Sequence, residues 1–180
     1  MEAGAEKPTK MMLEGELDEL DLRLLGALQQ NARSTYAELG SAIGLKPPAV
    51  HDRVKRLEHR GFIKGYSARV DARRLGIELV AFVSAYTTSE VDYDAFTAAI
   101  AALPEVSEIH SVAGEESFVL KVYTRSTRHL DDFLSRLKAI PGMGRTKTTV
   151  VLSTVYERTG LALNELVGPV APPARLRAVP

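Results

Sequence analysis

The sequence predicts an α+β protein in which an N-terminal three-helix helix-turn-helix domain precedes a ferredoxin-like βαββαβ domain. Two short helical patterns joined by a glycine-containing turn, with another helix before them, predict the first domain. Strand and helix patterns that occur twice between residues 79 and 155 predict the second. Each copy contains an apolar residue followed by proline, and these pairs, Leu103-Pro104 and Ile140-Pro141, lie 37 residues apart.

The first predicted helix follows an arm, residues 1–16, that lacks hydrophobic periodicity and is expected to be flexible. Asp18 is suited to cap the helix, Asp21 favours the helix dipole, and Leu17 can pack on Leu22. The helix is expected over residues 19–30. Four leucines at helical spacing are expected to form its buried stripe, namely Leu20, Leu24, Leu25 and Leu28.

The next two helices complete the predicted helix-turn-helix domain, residues 17–61. Thr35 and Glu38 have the spacing of a capping box, and Gly44 is suited to end that helix in the left-handed conformation. Pro47 stands where a third helix can begin, because proline is favoured at the first helical position. This helix is expected to run to residue 60. Residues 62–77 are expected to form an extended linker.

The predicted βαββαβ domain, residues 78–158, repeats one pattern. The strands are expected over residues 79–87, 106–113, 118–124 and 146–155. Two helices are indicated by apolar residues at helical spacing, Phe96, Ala99, Ile100 and Leu103 in one and Leu130, Phe133, Leu134 and Leu137 in the other. Residues 159–180 are rich in alanine, proline and valine and are expected to form a tail.

Both faces of this predicted sheet carry apolar residues. In the first strand, for example, Ala81 and Val83 alternate with Val80 and Phe82. Helices would cover one face, so a second apolar face needs another cover. A second copy of the same sheet is the simplest cover, and the sequence therefore predicts a homodimer that assembles further to a tetramer or octamer.

The bulk composition excludes several classes of protein. The chain has 180 residues and no cysteine, so it has neither disulfides nor thiolate metal ligands nor a cysteine nucleophile. No signal peptide is visible in the first sixteen residues, and no apolar run reaches the roughly 18 residues of a membrane span. We expect a soluble cytoplasmic protein that does not contact the membrane and that needs no cofactor and no metal.

Charge is segregated along the chain although the total is balanced, with 23 basic and 23 acidic residues. Residues 1–32 contain 3 basic and 7 acidic residues, residues 33–74 contain 10 and 4, and residues 75–180 contain 10 and 12. The middle segment therefore carries a net charge of +6. Because it coincides with the helix-turn-helix, it predicts a surface that faces the phosphates of double-stranded DNA.

The third helix is predicted to be the recognition helix. Pro47, Val50, Val54 and Leu57 group on one face, which leaves the opposite face for the major groove. Base contacts are expected from Pro48, Ala49, Asp52 and Arg53, with His51 on a flank, and phosphate contacts from Lys55, Arg56 and His59. Asp52 has two open interpretations, since it can accept a hydrogen bond from cytosine or form an ion pair with Arg56.

Two runs of sequence, LDELDLRLLGALQQNARSTYAELGSAIGL and PPAVHDRVKRLEHRGFIKGY, resemble the DNA-binding half of the Lrp/AsnC family of bacterial and archaeal regulators. The βαββαβ pattern is similar to the effector domain of that family, so the resemblance covers about residues 17–157. One departure is Lys46, because members usually have serine as the N-cap of the recognition helix. A phosphate contact by Lys46 would compensate for the weaker cap.

The resemblance also implies an amino-acid effector. Gly114, Glu115, Glu116 and Ser117 match the glycine-containing loop that binds effectors in the family, and Thr146 and Thr148 fall on a strand that lines the pocket. Many members have aspartate in place of Ser117, and some amino-acid-sensing members have serine. The alternative interpretation is an ordinary hairpin turn and ordinary strand residues.

These features together predict a sequence-specific transcriptional regulator of amino-acid metabolism that an amino acid modulates. An enzyme is not expected, because the four histidines lack partners at metal-ligand or triad spacing and there is no phosphate-binding glycine loop. Two alternatives remain, an architectural DNA-organising protein with weak sequence preference and a metal-responsive winged-helix repressor.

Overall fold

The computed structural model describes residues 17–88, 91–158 and 160–167. The predicted arm and most of the predicted tail lie outside the described residues. The described residues divide into two compact units, the first within Met1–Ala68 and Glu157–Pro180 and the second within Arg69–Tyr156. The described α-helices are α1 (Glu19–Gln30), α2 (Tyr36–Ile43), α3 (Pro47–His59), α4 (Tyr93–Ala101), α5 (Thr127–Lys138) and α6 (Leu163–Val167). The predicted linker, residues 62–77, is not extended throughout, because Arg73–Leu75 form a short 3₁₀ helix that ends at Gly76 in the left-handed conformation. The described strands are β1 (Leu79–Thr87), β2 (Val106–Ser111), β3 (Phe118–Thr124) and β4 (Met143–Val151).

The helix ends of the first unit follow the predicted caps. Asp18 and Asp21 form a capping box at α1, and Thr35 and Glu38 form one at α2. The turn between α2 and α3 depends on two glycines. Gly44 adopts φ 77°, which favours glycine, and a Cβ at Gly40 would collide with the backbone carbonyl of Leu45. These features confirm the predicted helix-turn-helix.

Fewer of the predicted apolar residues are fully buried in the core of the first unit than the sequence predicts. Leu24 is fully buried, but the other three leucines of the predicted α1 stripe are only half-buried. Pro47 was expected on the buried face and is exposed, because it begins α3 before the helix reaches the core. The buried residues that hold the three helices together are Leu17, Leu22, Leu24, Leu39, Ile43, Val50, Val54 and Leu57.

The second unit is a four-stranded antiparallel sheet in the order β2-β3-β1-β4, packed with α4 and α5. This confirms the predicted α+β class and the ferredoxin-like pattern. β1 and β3 have the predicted bounds, whereas β2 ends at Ser111 rather than at residue 113. β4 spans Met143–Val151 rather than 146–155 because Thr87 of β1 pairs with Met143, and Val151 is already paired with Val80 near the other end of β1.

The two faces of the sheet differ in their cover. Ala81, Val83 and Ala85 of β1 are fully buried in a core with side chains from α4 and α5. The residues between them in β1 are only partly covered, and Phe82 is 42% exposed. We call this second side the open face. It is formed by Val80, Phe82, Ser84 and Tyr86 of β1 and by the residues paired with them, Val119, Lys121 and Tyr123 on β3 and Lys147, Thr149 and Val151 on β4.

The described part of the C-terminal segment belongs to the first unit. α6 packs against α1, and the Gln29 side chain accepts a hydrogen bond from the Leu161 N–H at 2.6 Å and donates one to its carbonyl at 3.3 Å. A cavity of about 630 Å³ lies between α1, the end of α2 and this segment. Every helix among the described residues is too short or too polar to cross a bilayer.

Candidate DNA interface and effector site

The recognition helix α3 presents most of the predicted contact residues to solvent. Val50, Val54 and Leu57 bury the opposite side of the helix. Arg53 differs from the rest of the predicted set, since its side chain is only 21% exposed. The remaining predicted DNA-binding residues are all exposed, namely Lys46, Pro48, Ala49, His51, Asp52, Lys55, Arg56 and His59.

The start of α3 lacks a side-chain cap. Lys46 occupies the N-cap position with extended backbone and makes no capping hydrogen bond. The missing cap has a limited cost here, because Pro47 and Pro48 have no N–H and leave fewer unpaired donors in the first turn. The cationic side chain of Lys46 remains exposed at this end of the helix.

Two arginines of α3 form ion pairs with the first turn of α1. Arg53 Nη1 donates hydrogen bonds to Asp18 Oδ2 at 2.6 Å and to Asp21 Oδ1 at 2.7 Å. Arg56 Nη2 lies 2.8 and 2.9 Å from the two carboxylate oxygens of Asp21. Burial would raise the pKa of Asp18, but the hydrogen bond from Arg53 lowers it below its usual value.

The more exposed charges of α3 pair locally. Asp52 lies 3.3 Å from the His51 ring and Lys55 lies 3.1 Å from Glu58. Asp52 does not pair with Arg56, which was one of its two possible roles in the sequence, because Arg56 binds Asp21 instead. Glu58 also accepts a hydrogen bond from Tyr66, and partial burial together with this bond raises the pKa of Tyr66 to about 12.

The predicted effector loop lies at one end of β1. The Ser117 N–H donates to the Ala85 carbonyl at 3.0 Å, and its hydroxyl lies 2.9 Å from that of Thr87. Glu116 accepts a hydrogen bond from the Ser84 hydroxyl at 3.2 Å, so its carboxylate extends to the open face. Gly114 and Glu115 are exposed.

The two predicted effector threonines lie on a different strand, and on the face opposite the Glu116 carboxylate. Thr146 pairs with Ala85 and Thr148 pairs with Val83, so both threonines share the helix-covered side of the sheet. Ala85 of β1 lies between Thr146 of β4 and Phe118 of β3 in the sheet. The backbone of Thr146 is therefore about 10 Å from that of Phe118, the residue after Ser117. One chain therefore does not gather all six predicted effector residues on a single surface.

A second buried ionic cluster was not predicted from the sequence. The Glu105 carboxylate is buried after α4 and binds His129 Nε2 at 2.7 Å and Arg136 Nη2 at 2.5 Å, both on α5. Burial would raise the pKa of Glu105, but the hydrogen bonds from Arg136 and His129 lower it. The described residues contain no group of three or more His, Cys, Asp or Glu side chains placed to hold a metal ion.

Both units match known families. An AsnC-type helix-turn-helix domain matches residues 17–58, and the Lrp/AsnC ligand binding domain matches residues 80–161. The chain belongs to the Lrp/AsnC family. This membership confirms the resemblance seen in the sequence and the prediction that the protein is a transcriptional regulator rather than an enzyme.

Individual relatives agree with this assignment. The chain is 40% identical over 140 residues to the HTH-type transcriptional regulator LrpA of Mycobacterium tuberculosis, covering 78% of this chain and 93% of the relative. It is 33% identical to LrpC of Bacillus subtilis over 144 residues, 80% of this chain and 97% of the relative.

Solved structures also resemble the chain. Escherichia coli AsnC matches with a TM-score of 0.74 and 33% identity, over 79% of this chain and 97% of that one. The Neisseria meningitidis regulator NMB0573, in complex with L-methionine, matches with a TM-score of 0.80 and 28% identity, over 83% and 99%. The M. tuberculosis feast or famine regulatory protein Rv3291c, also with L-methionine, matches with 0.75 and 40%, over 81% and 98%.

Proposed function

We propose that this Lrp/AsnC regulator binds specific DNA sequences through α3 and controls genes of amino-acid metabolism in response to an amino acid. The observation that carries the proposal is the division of α3 into a buried side, Val50, Val54 and Leu57, and an exposed polar side. Such a helix can enter the major groove while its apolar side holds it on the domain.

The exposed side of α3 divides into two kinds of contact. Base contacts are assigned to Pro48, Ala49 and Asp52 near the start of the helix, where recognition helices reach base edges. Phosphate contacts are assigned to Lys46, His51, Lys55, Arg56 and His59. Arg53 is not among the proposed base contacts, because its guanidinium is hydrogen-bonded to two carboxylates.

A DNA-selection experiment tests this assignment. Fragments of the source genome retained by the protein should share a sequence motif, and its affinity for that motif should exceed its affinity for random DNA by at least about 1,000-fold. Lys55→Gln should lower affinity for both DNAs and reduce the slope of log affinity against log salt by about 1. Lys138→Gln, at the exposed end of α5, is the matched control. Equal affinity for all fragments would contradict the proposal and favour an architectural role.

We infer that the effector is a free amino acid bound near Ser117. The two relatives solved with L-methionine support this ligand class. The Ser117 and Thr87 hydroxyls and the Glu116 carboxylate offer groups that can bind an ammonium or a carboxylate. Calorimetry across the twenty amino acids should give heat for at least one, and Ser117→Ala should weaken that binding. No heat at millimolar concentrations would reject the inference.

A cytoplasmic homodimer, assembling to a tetramer or octamer, completes the proposal. The open face supports it, because Phe82, Val119 and Val151 leave apolar surface uncovered in one chain. Paired recognition helices would also suit DNA with two half-sites. A second chain would provide additional surfaces for the effector residues that one chain keeps apart.

A further inference from the structure

We infer that the acidic first turn of α1 positions the recognition helix, and that Arg53 contributes to DNA recognition through this turn rather than by touching DNA. We call Asp18, Asp21, Arg53 and Arg56 the α1–α3 ionic cluster. The inference rests on the proposed DNA-binding role of α3. It assigns Asp18, Asp21 and Arg53 as positioning residues.

The geometry of Arg53 supports this assignment. A single nitrogen, Nη1, bridges Asp18 Oδ2 and Asp21 Oδ1 at 2.6 and 2.7 Å. Hydrogen bonds between charged groups at such distances are stronger than neutral ones. A guanidinium held in this way is not free to reach a base edge without breaking both bonds.

The same carboxylates also cap α1, which fixes their orientation. Asp18 Oδ1 accepts the Asp21 N–H at 2.7 Å, and the Asp18 N–H donates to Asp21 Oδ2 at 3.2 Å. Neither carboxylate can rotate toward another partner without disturbing the helix end. The cap of α1 therefore sets the position of the two arginines, and through them the position of α3.

Burial distinguishes the two arginines. The Asp21 side chain is only 2% exposed, and a buried carboxylate that loses a partner is costly. Arg53 lies within the cluster at 21% exposure, whereas the Arg56 side chain is 45% exposed. Arg56 can therefore approach a DNA phosphate while Arg53 keeps Asp21 paired. This separates a positioning arginine from a contacting one on the same helix.

The two roles of Arg53 predict different DNA-binding results. Loss of a base contact would change the base preferred at one position of the selected motif. Loss of a phosphate contact would reduce the salt slope by about 1. Loss of positioning would instead leave the preferred bases and the salt slope unchanged, and would lower affinity for the selected motif more than for random DNA.

A double-mutant cycle in the full-length protein tests the inference. Arg53→Gln should lower affinity for the selected motif on the order of tenfold, and it should cost much less when Asp18→Asn and Asp21→Asn are already present. Arg53→Lys should restore most of the specificity, because one nitrogen suffices to bridge the carboxylates. Thermal unfolding establishes that each variant is folded, and Asp18→Asn alone replaces the double substitution if that variant unfolds.

Three outcomes would overturn the inference. Arg53→Gln could change the preferred base at one position, it could reduce the salt slope, or it could cost the same with and without the aspartates. The first two outcomes place Arg53 on the DNA and the third shows that it does not act through the aspartates, and all three leave the proposed function intact. A wild-type protein that retains no motif in the selection overturns the proposed function itself, and with it the inference.

Discussion

Asp18 shows how one short side chain can serve two elements. One oxygen of its carboxylate caps α1 and the other binds Arg53 of α3. Aspartate suits this role because it is a good N-cap and because its charge favours the positive end of the helix. Glu105 has a comparable role in the second unit, where one buried carboxylate binds two side chains of α5.

A pH titration tests the role of Asp18. Its pKa in the folded protein lies below the ordinary 3.8, so its ionised form contributes stability that is complete above that value and is lost as pH falls through the folded pKa. Asp18→Asn keeps a good cap and removes the charge. The free energy of unfolding, measured by urea titration, should therefore be larger for wild type than for Asp18→Asn at pH 7. This difference should shrink below pH 3.8.

Arg53→Gln provides the control for this titration. In that background Asp18 has lost its hydrogen-bond partner on α3, so Asp18→Asn should lower the unfolding free energy at pH 7 by less than it does in wild type. A difference between wild type and Asp18→Asn that stays constant from pH 7 to the acid limit would contradict the proposed role of the ion pair.

At the scale of elements, the described C-terminal segment returns to pack on α1. Leu22, Gly26 and Gln29 line the cavity beside this segment, and they recur at helical spacing along α1. Gly160 lies so close that a Cβ would come within 2.7 Å of the Gln29 amide oxygen. The helix-turn-helix is thus supported by a segment that follows the sheet unit in the chain.

Gln29→Ala should loosen this attachment. It removes the two hydrogen bonds to Leu161, which at an exposed site stabilise by about 1 kcal/mol in total. Amide hydrogen exchange in α6 and in the second half of α1 should therefore accelerate, while exchange in β1 and β3 is unchanged. Gln30→Ala, one residue along the same helix, is the matched control. Equal exchange in the two variants would show that the Gln29 contacts add no stability.

A second prediction at this scale concerns the turn between α2 and α3. Gly40→Ala would place a methyl group against the Leu45 carbonyl, so the turn must shift. We expect a loss of stability of about 1–3 kcal/mol, typical of overpacking, and weaker DNA binding because α3 is displaced. Gly26→Ala on α1 has open space and is the control, expected to be neutral or stabilising. Thermal unfolding of both variants measures the contrast.

At the scale of the whole molecule, the proposed assembly uses the open face. One side of the sheet packs against its own helices, whereas the other keeps Phe82, Val80 and Val151 partly accessible. A twofold pairing of these sheets would bury them and would bring two recognition helices into one particle.

Phe82→Lys tests the proposed dimer. A lysine at this position places a charge at the centre of an apolar surface, so the dimer should dissociate at micromolar concentration. Sedimentation velocity measures the change in mass. Ala98→Lys, on the exposed side of α4, is the matched control and should leave the mass unchanged. A Phe82→Lys protein with the wild-type mass would place the interface elsewhere.

The sequence by itself determined the helix-turn-helix, the caps of α1 and α2, the bounds of β1 and β3, the fold class and the family. These depend on capping residues, glycines and hydrophobic period, which act over a few neighbouring residues. Only the tertiary structure decided that Arg53 binds Asp18, 35 residues away, that Glu105 binds α5, and that Thr146 and Glu116 lie on opposite faces. Such partners are chosen by packing between elements distant in the chain, and no local pattern specifies which of several carboxylates a given arginine will reach.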